Sequence, residues 1–167
     1  MSRAVAIDLD GALGDTHALW KAFLVEAARR FGSITLLDPA SLPADRGAAA
    51  EALDRWAAGG VGDWRAALER FAEERAPVFI RPDGEANTAL RSLAAAGARL
   101  GVFTDAPESL ARIALAHLGA ARRIEAVETG AGARERLLGR LGHDATVVET
   151  RAQLVKISRD ARAQAPR

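Results

Sequence analysis

The stretch Ala4-Val5-Ala6-Ile7-Asp8-Leu9-Asp10-Gly11 constrains this chain more than any other. Four apolar residues stop abruptly at two aspartates one residue apart, and a glycine follows. A run this short, with no polar alternation, fits a strand covered on both faces, as in a parallel sheet. Side chains alternate along an extended segment, so Asp8 and Asp10 are expected on one side, at the strand's carboxyl end. Ligands of open α/β sheets bind at that end. Two carboxylates meeting there repel each other unless a cation or a shared proton intervenes. A turn in which Asp10-Gly11 supplies only backbone geometry accounts for the same residues without chemistry.

Composition narrows the partners. Apolar residues make up 49% of the 167, enough for a core, while a mean hydropathy of −0.03 and the lack of a long uncharged apolar run argue against a membrane span. Twenty-three basic side chains stand against 22 acidic ones, a net charge of +1, which leaves no footprint for nucleic acid or an anionic membrane surface. The chain has no cysteine, so disulfides, thiolate catalysis and thiolate metal ligands are excluded. The first strand begins directly after Met1-Ser2-Arg3, where no secretory leader fits, and a cytoplasmic location is expected. Only Lys21 and Lys156 are lysines; the remaining cations are arginines.

Along the chain, Asp15-Thr16 can start a helix over 17 to 31, whose apolar positions Leu19, Trp20, Phe23, Leu24, Ala27 and Phe31 share one face, with Gly32 as its stop. His17 at its first turn either faces a substrate or is simply exposed. A loop rich in Pro, Ser and Asp covers 37 to 47, and an alanine-rich helix follows over 48 to 58. The glycines around 60 mark a bend, and Asp63 caps a helix over 64 to 75. Trp56, Trp64 and Phe71 sit at helical spacing, better suited to a small helical core than to a substrate pocket. The chain returns to a sheet pattern after Arg81-Pro82-Asp83-Gly84. A helix over 85 to 96 leads to the run Leu100-Gly101-Val102-Phe103, which ends in Thr104-Asp105. A right-handed crossover places this strand beside the first, with Thr104 at the same end as Asp8. A helix over 107 to 118, a strand over 124 to 127, a helix over 133 to 141, a strand over 145 to 148 and a final helix complete the pattern, with a charged tail beyond Ser158 expected to fray. The order is that of a doubly wound, three-layer α/β fold with a parallel sheet. Residues 1–15 and 82–167 are expected to form its core, and 16–81 an inserted small helical cap that can close over the strand ends.

Asp8-Leu9-Asp10-Gly11-Ala12-Leu13, with Asp15 behind it, resembles the first motif of the haloacid dehalogenase-like hydrolases, Asp-x-Asp-Gly-Thr-Leu, with Ala12 in the usual Thr place. The strand ending in Thr104 resembles their second motif. The resemblance implies a Rossmann-like core with a helical cap, and a nucleophile, Asp8, that takes up a phosphoryl group. It makes Asp10 the general acid/base. Mg²⁺ would be held by the Asp8 carboxylate, the Asp10 carbonyl and an acid of the fourth motif. The phosphoryl oxygens would be held by Thr104 and nearby backbone amides, with Leu9, Gly11 and Asp105 in the binding set.

The family's third motif is a lysine, and this chain has none between Lys21 and Lys156. Arg134 is the nearest stand-in and Arg136 the second, although a planar guanidinium and a compact ammonium are not interchangeable. The fourth motif normally reads Gly-Asp after a strand. Here Glu149-Thr150-Arg151-Ala152-Gln153 reads either with the glycine deleted, so that Glu149 binds the metal and Gln153 replaces the later acid, or with Thr150 in the acid's place.

The resulting expectation is a Mg²⁺-dependent phosphatase or phosphotransferase acting on a small phosphorylated metabolite through an aspartyl-phosphate. The alternative is a degenerate relative that binds phosphate or metal with little turnover. Neither substrate identity nor oligomeric state is encoded in a recognisable pattern.

Overall fold

In the computed structural model, residues 3–31, 38–60 and 62–164 are described. The stop expected at Gly32 and the start of the loop at Leu37 lie outside them. The apolar run forms strand β1 (Ala4–Asp8), and the later runs form β2 (Arg99–Thr104), β3 (Ala126–Thr129) and β4 (Thr146–Val148). All pair in parallel in the order β3-β2-β1-β4, with Asp8 opposite Phe103 and Ile7 opposite both Val102 and Val148. The chain moves outward from β1 to β3 and then crosses back to β4 on the other side of β1. Strand order therefore reverses at β1, the switch point where open α/β sheets bind ligands.

Between β1 and β2 lie α1 (His17–Phe31), α2 (Arg46–Ala57), α3 (Trp64–Phe79) and α4 (Gly84–Ala95), with a 3₁₀ turn at Pro39–Ser41. Helices α5 (Glu108–His117), α6 (Ala133–Leu141) and α7 (Arg151–Gln164) connect or follow the remaining strands. Leu137 and Leu141 of α6 pack on one sheet face with Ala6 and Ala126. Gly101 admits them: a Cβ there would lie 2.7 Å from Leu137 Cδ1. The other face, carrying Val5, Ile7, Leu100 and Val102, shares one apolar cluster with α1, α3, α4, α5 and α7. The sheet is covered on both sides, which is why its strands read as unbroken apolar runs.

Five boundaries differ from the sequence expectation. The extended segment ends at Asp8, and Asp10 is reached through a single π-helical turn, Leu9–Leu13, so strand alternation is not what brings the two acids together. The third strand begins two residues late because a 3₁₀ turn, Ala121–Arg123, takes up the chain before it, so Glu128 and Thr129 belong to the strand rather than to a loop. Helix α3 continues through Pro77 to Phe79, and α7 continues past Ser158 to Gln164. Helix α2 begins at Arg46, earlier than expected, capped by Asp45 Oδ1, which accepts from the Ala48 amide at 2.8 Å.

The aromatic residues behave as core. Trp64 is buried against Trp20 and Phe23, with ring centroids 6.2 and 6.5 Å away, and Phe71 lies 5.9 Å from Phe23.

Candidate active site

The carboxyl ends of β1 and β2 bring Asp8, Asp10, Thr104 and Asp105 to one edge of the sheet. The Asp8 carboxylate accepts from the Asp10 amide at 3.2 Å. Burial, then the charge of Asp10, raises its affinity for a proton above that of an ordinary aspartate, against backbone hydrogen bonds that favour the ionised form.

Asp10 is more tightly held. Its Oδ1 accepts from the Thr16 amide at 2.8 Å and the Thr16 hydroxyl at 2.6 Å. Its Oδ2 accepts from Thr104 Oγ1 at 2.9 Å and from Arg46 Nη2 at 2.5 Å. Burial alone would raise its pKa, but the Arg46 charge and the Thr16 bonds outweigh it and hold Asp10 below the usual carboxylate range. Thr16, expected only to start a helix, is fully buried as a partner of Asp10.

Arg46 is the residue that sequence reasoning missed. The expected loop over 37 to 47 contained it, and in an arginine-rich chain nothing distinguished it. The signal lay one residue upstream, where Asp45 is a good helix cap that starts α2 at Arg46. Its side chain is 1% exposed, the only buried lysine or arginine among the described residues. Nε donates to Asp105 Oδ1 at 2.9 Å, Nη2 to the same oxygen at 2.6 Å, and Nη1 to Thr16 Oγ1 at 2.6 Å. The Arg46 amide donates to Asp105 Oδ2 at 3.0 Å. Although burial opposes the charged form, the Asp105 hydrogen bonds and the two carboxylate charges raise its pKa further, so it stays protonated. Gly47 lets α2 approach this closely, since a Cβ there would lie 2.6 Å from the Ala131 amide nitrogen in the loop after β3.

Arg134 and Glu149 lie together at the start of α6 and the end of β4. Arg134 Nη1 donates to Glu149 Oε1 at 2.8 Å, with both side chains about half exposed. Arg136 donates to Glu128 and to the carbonyls of Thr129 and Ala131. Gln153 Oε1 accepts from the Glu149 and Thr150 amides at 2.8 and 3.1 Å and so caps α7.

The donor set suits a hard divalent cation. A Cβ at Gly11 would collide with the Glu149 carbonyl oxygen and come within 3.1 Å of Asp8 Oδ2, so only glycine leaves these two oxygens facing a common space. Asp10 and Asp105 pair with the buried Arg46 guanidinium while Asp8 feels the charge of both acids, an excess of negative charge that Mg²⁺, an oxygen-seeking ion, fits. Among the described residues, the one group of acids and histidines whose ligand atoms all lie within 4.8 Å of one another is Asp10, Asp15 and His17, with His17 Nδ1 2.7 Å from Asp15 Oδ1.

The chain is similar in fold to solved structures. A "putative beta-phosphoglucomutase from Thermotoga maritima" superposes with a TM-score of 0.54 at 16% identity, over 93% of this chain and 81% of that one. A HAD phosphatase from Thermococcus onnurineus gives 0.52 at 17% identity, over 94% and 97%. A search of curated proteins finds no match. The family model for haloacid dehalogenase-like hydrolases matches residues 5–167, nearly the whole length, and the chain belongs to that family.

Proposed function

We propose that this protein is a Mg²⁺-dependent phosphatase or phosphotransferase of a small phosphorylated metabolite. The observation that carries this reading is the 2.9 Å contact between Thr104 and Asp10, which joins the ends of β2 and β1 beside Asp8. An Asp8 oxygen attacks phosphorus, and the bond to the leaving oxygen breaks with its electron pair on that oxygen. Asp10, held ionised by Arg46 in the free site, takes up a proton from solvent as substrate binds and passes it to the leaving oxygen. A water, or an acceptor hydroxyl, then attacks the phosphorus of the aspartyl-phosphate, gives its proton to Asp10, and restores the Asp8 carboxylate. Thr104 and the amides around Leu9, Gly11 and Asp105 orient the phosphoryl oxygens. Asp8, the Asp10 carbonyl and the Glu149 carboxylate, which is paired with Arg134, would hold Mg²⁺, which when bound offsets the charge opposing attack of one anion on another. The segment 16–81 acts as a lid that excludes water from the strand ends. Among the described residues no helix is long and apolar enough to cross a membrane.

One observation favours the second reading, a relative that binds phosphate with little turnover. Both oxygens of Asp10 are taken, by two groups of Thr16, by Thr104 and by Arg46. The experiment that separates the two readings is release of p-nitrophenol from p-nitrophenyl phosphate, alongside a panel of sugar and nucleotide phosphates, with Mg²⁺ or with EDTA. The enzyme reading expects turnover that EDTA and Asp8→Asn each reduce to background. Turnover indifferent to both, or none at all, sinks it.

A further inference from the structure

We propose that Arg46, carried by the helical segment and not by the sheet, is the cation that neutralises the transferring phosphoryl group, so the site is charge-complete only when α2 is seated on the strand ends. The proposal rests on the phosphoryl-transfer reading above and adds to it a residue outside the expected set. A phosphoryl dianion arriving beside Asp8, Asp10 and Asp105 adds negative charge to an already acidic edge. A buried, permanently charged donor there is therefore worth far more than one in water. Arg46 fits that role by position, burial and number of donors. The two arginines at the start of α6 are committed elsewhere: Arg134 to Glu149, and Arg136 to Glu128 and two carbonyls.

The hydrogen-bond pattern indicates how the handover works. Nε is held by Asp105 and Nη1 by Thr16, which fixes the guanidinium plane. Nη2 gives one hydrogen to Asp105 Oδ1 at 2.6 Å and the other to Asp10 Oδ2 at 2.5 Å, and it lies 3.4 Å from Thr104 Oγ1, beside the hydroxyl that would hold the phosphoryl oxygen. A phosphoryl group at Thr104 takes over the Nη2 hydrogen given to Asp10 while the other contacts persist. Asp10 Oδ2 is then released toward the leaving oxygen. Exchange of the Arg46 Nη2 and Thr104 Oγ1 bonds from Asp10 Oδ2 to the phosphoryl group thus supplies the missing cation and uncovers the acid/base, with substrate as the trigger. The planar fork of arginine allows this because its donors are fixed relative to one another; lysine's single ammonium cannot hold Asp105 and Thr16 while turning to phosphate.

The test compares wild type, Arg46→Ala, Arg46→Lys, Arg134→Ala and Asp8→Asn, each checked for folding by circular dichroism. It measures p-nitrophenyl phosphate turnover with Mg²⁺ and inorganic phosphate affinity by calorimetry. Arg46→Ala is expected to lower kcat by about 10²–10³-fold, the range for loss of one preorganised charge donor, and to weaken phosphate binding at least about tenfold. Arg46→Lys, which keeps the charge and guards against misfolding of the alanine variant, should fall between the two. Guanidinium chloride at low, non-denaturing concentration should restore part of the Arg46→Ala rate and none of the Asp8→Asn rate. Arg134→Ala, which removes the rival cation, should lower kcat by less than Arg46→Ala does, and an equal or larger loss overturns the assignment to Arg46. Arg46→Ala with unchanged kcat and phosphate affinity, while Asp8→Asn is dead, overturns the Arg46 proposal and leaves the phosphoryl-transfer reading intact. A silent wild type overturns the catalytic reading instead. In that case equal phosphate binding by wild type and Arg46→Ala, or none by either, overturns this proposal as well.

Discussion

At Asp8, burial and the neighbouring Asp10 charge favour the protonated form, whereas at Asp10 the Arg46 charge favours the ionised one. Their linkage to stability therefore runs in opposite directions. The raised Asp8 pKa means the folded state holds a proton that the unfolded chain has already lost, so stability falls as pH rises through that window and stays lowered above it. Asp8→Asn should then raise stability at pH 7, measured by urea unfolding, with the gain vanishing in acid. Asp10 contributes the reverse: stability present above the ordinary carboxylate range and lost as pH falls through its lowered value. Asp10→Asn should cost about 2–4 kcal/mol at pH 7, because a buried guanidinium loses one of its two carboxylates, and the deficit should shrink as the pH is lowered. Equal and same-signed effects of the two substitutions would contradict the electrostatics described here. Both acids and Thr104 were legible in the sequence, because a short apolar run ending in polar residues locates a strand end whatever the rest of the fold does. Thr16 and Arg46 were not. Their role depends on how the helical segment folds back on the sheet, which residue periodicity does not encode.

Among the elements, helix α2 meets the sheet edge through Arg46, whose amide and side chain both donate to Asp105. Its first turn lies against the loop at Ala131, and Gly47 is the residue that allows it. Gly47→Ala should destabilise the protein by about 1–3 kcal/mol, as for other overpacked sites. It should also reduce turnover more than its loss of stability explains, because it displaces Arg46. Gly84 is the control: it starts α4 with a normal backbone and open space around a Cβ, so Gly84→Ala should raise stability by about 0.5–1 kcal/mol, read as a higher thermal midpoint. Most helices were readable from apolar spacing, α1 and α6 to the residue, since their amphipathic faces meet the core directly. The errors cluster where local geometry overrides propensity. Pro77 reads as a stop, yet α3 runs two residues beyond it, and the 3₁₀ turn at Ala121–Arg123 delays β3 without an apolar signature.

For the molecule as a whole, the helical segment and the sheet share one apolar cluster in which Trp64 and Leu68 belong with Ile7 and Val102. Such continuity predicts a single cooperative unfolding transition. All three tryptophans, Trp20, Trp56 and Trp64, lie in the helical segment, so fluorescence reports that region while far-ultraviolet circular dichroism reports every helix. The two urea midpoints should coincide within error; a lower fluorescence midpoint would mean that the segment melts by itself. The doubly wound order of strands and helices was legible from their alternation, whereas this shared packing was not, because amphipathic faces do not name the partner they bury against. The position of β1, with a neighbour on each side, has a wider consequence. Its tip is reached from several independent loops, so no single one has a monopoly on supplying a given charge. A lineage can forfeit a cation on one rim and recruit another from across the gap without rebuilding the floor beneath the nucleophile, and the price is that the recruit works only while its own helix is in place.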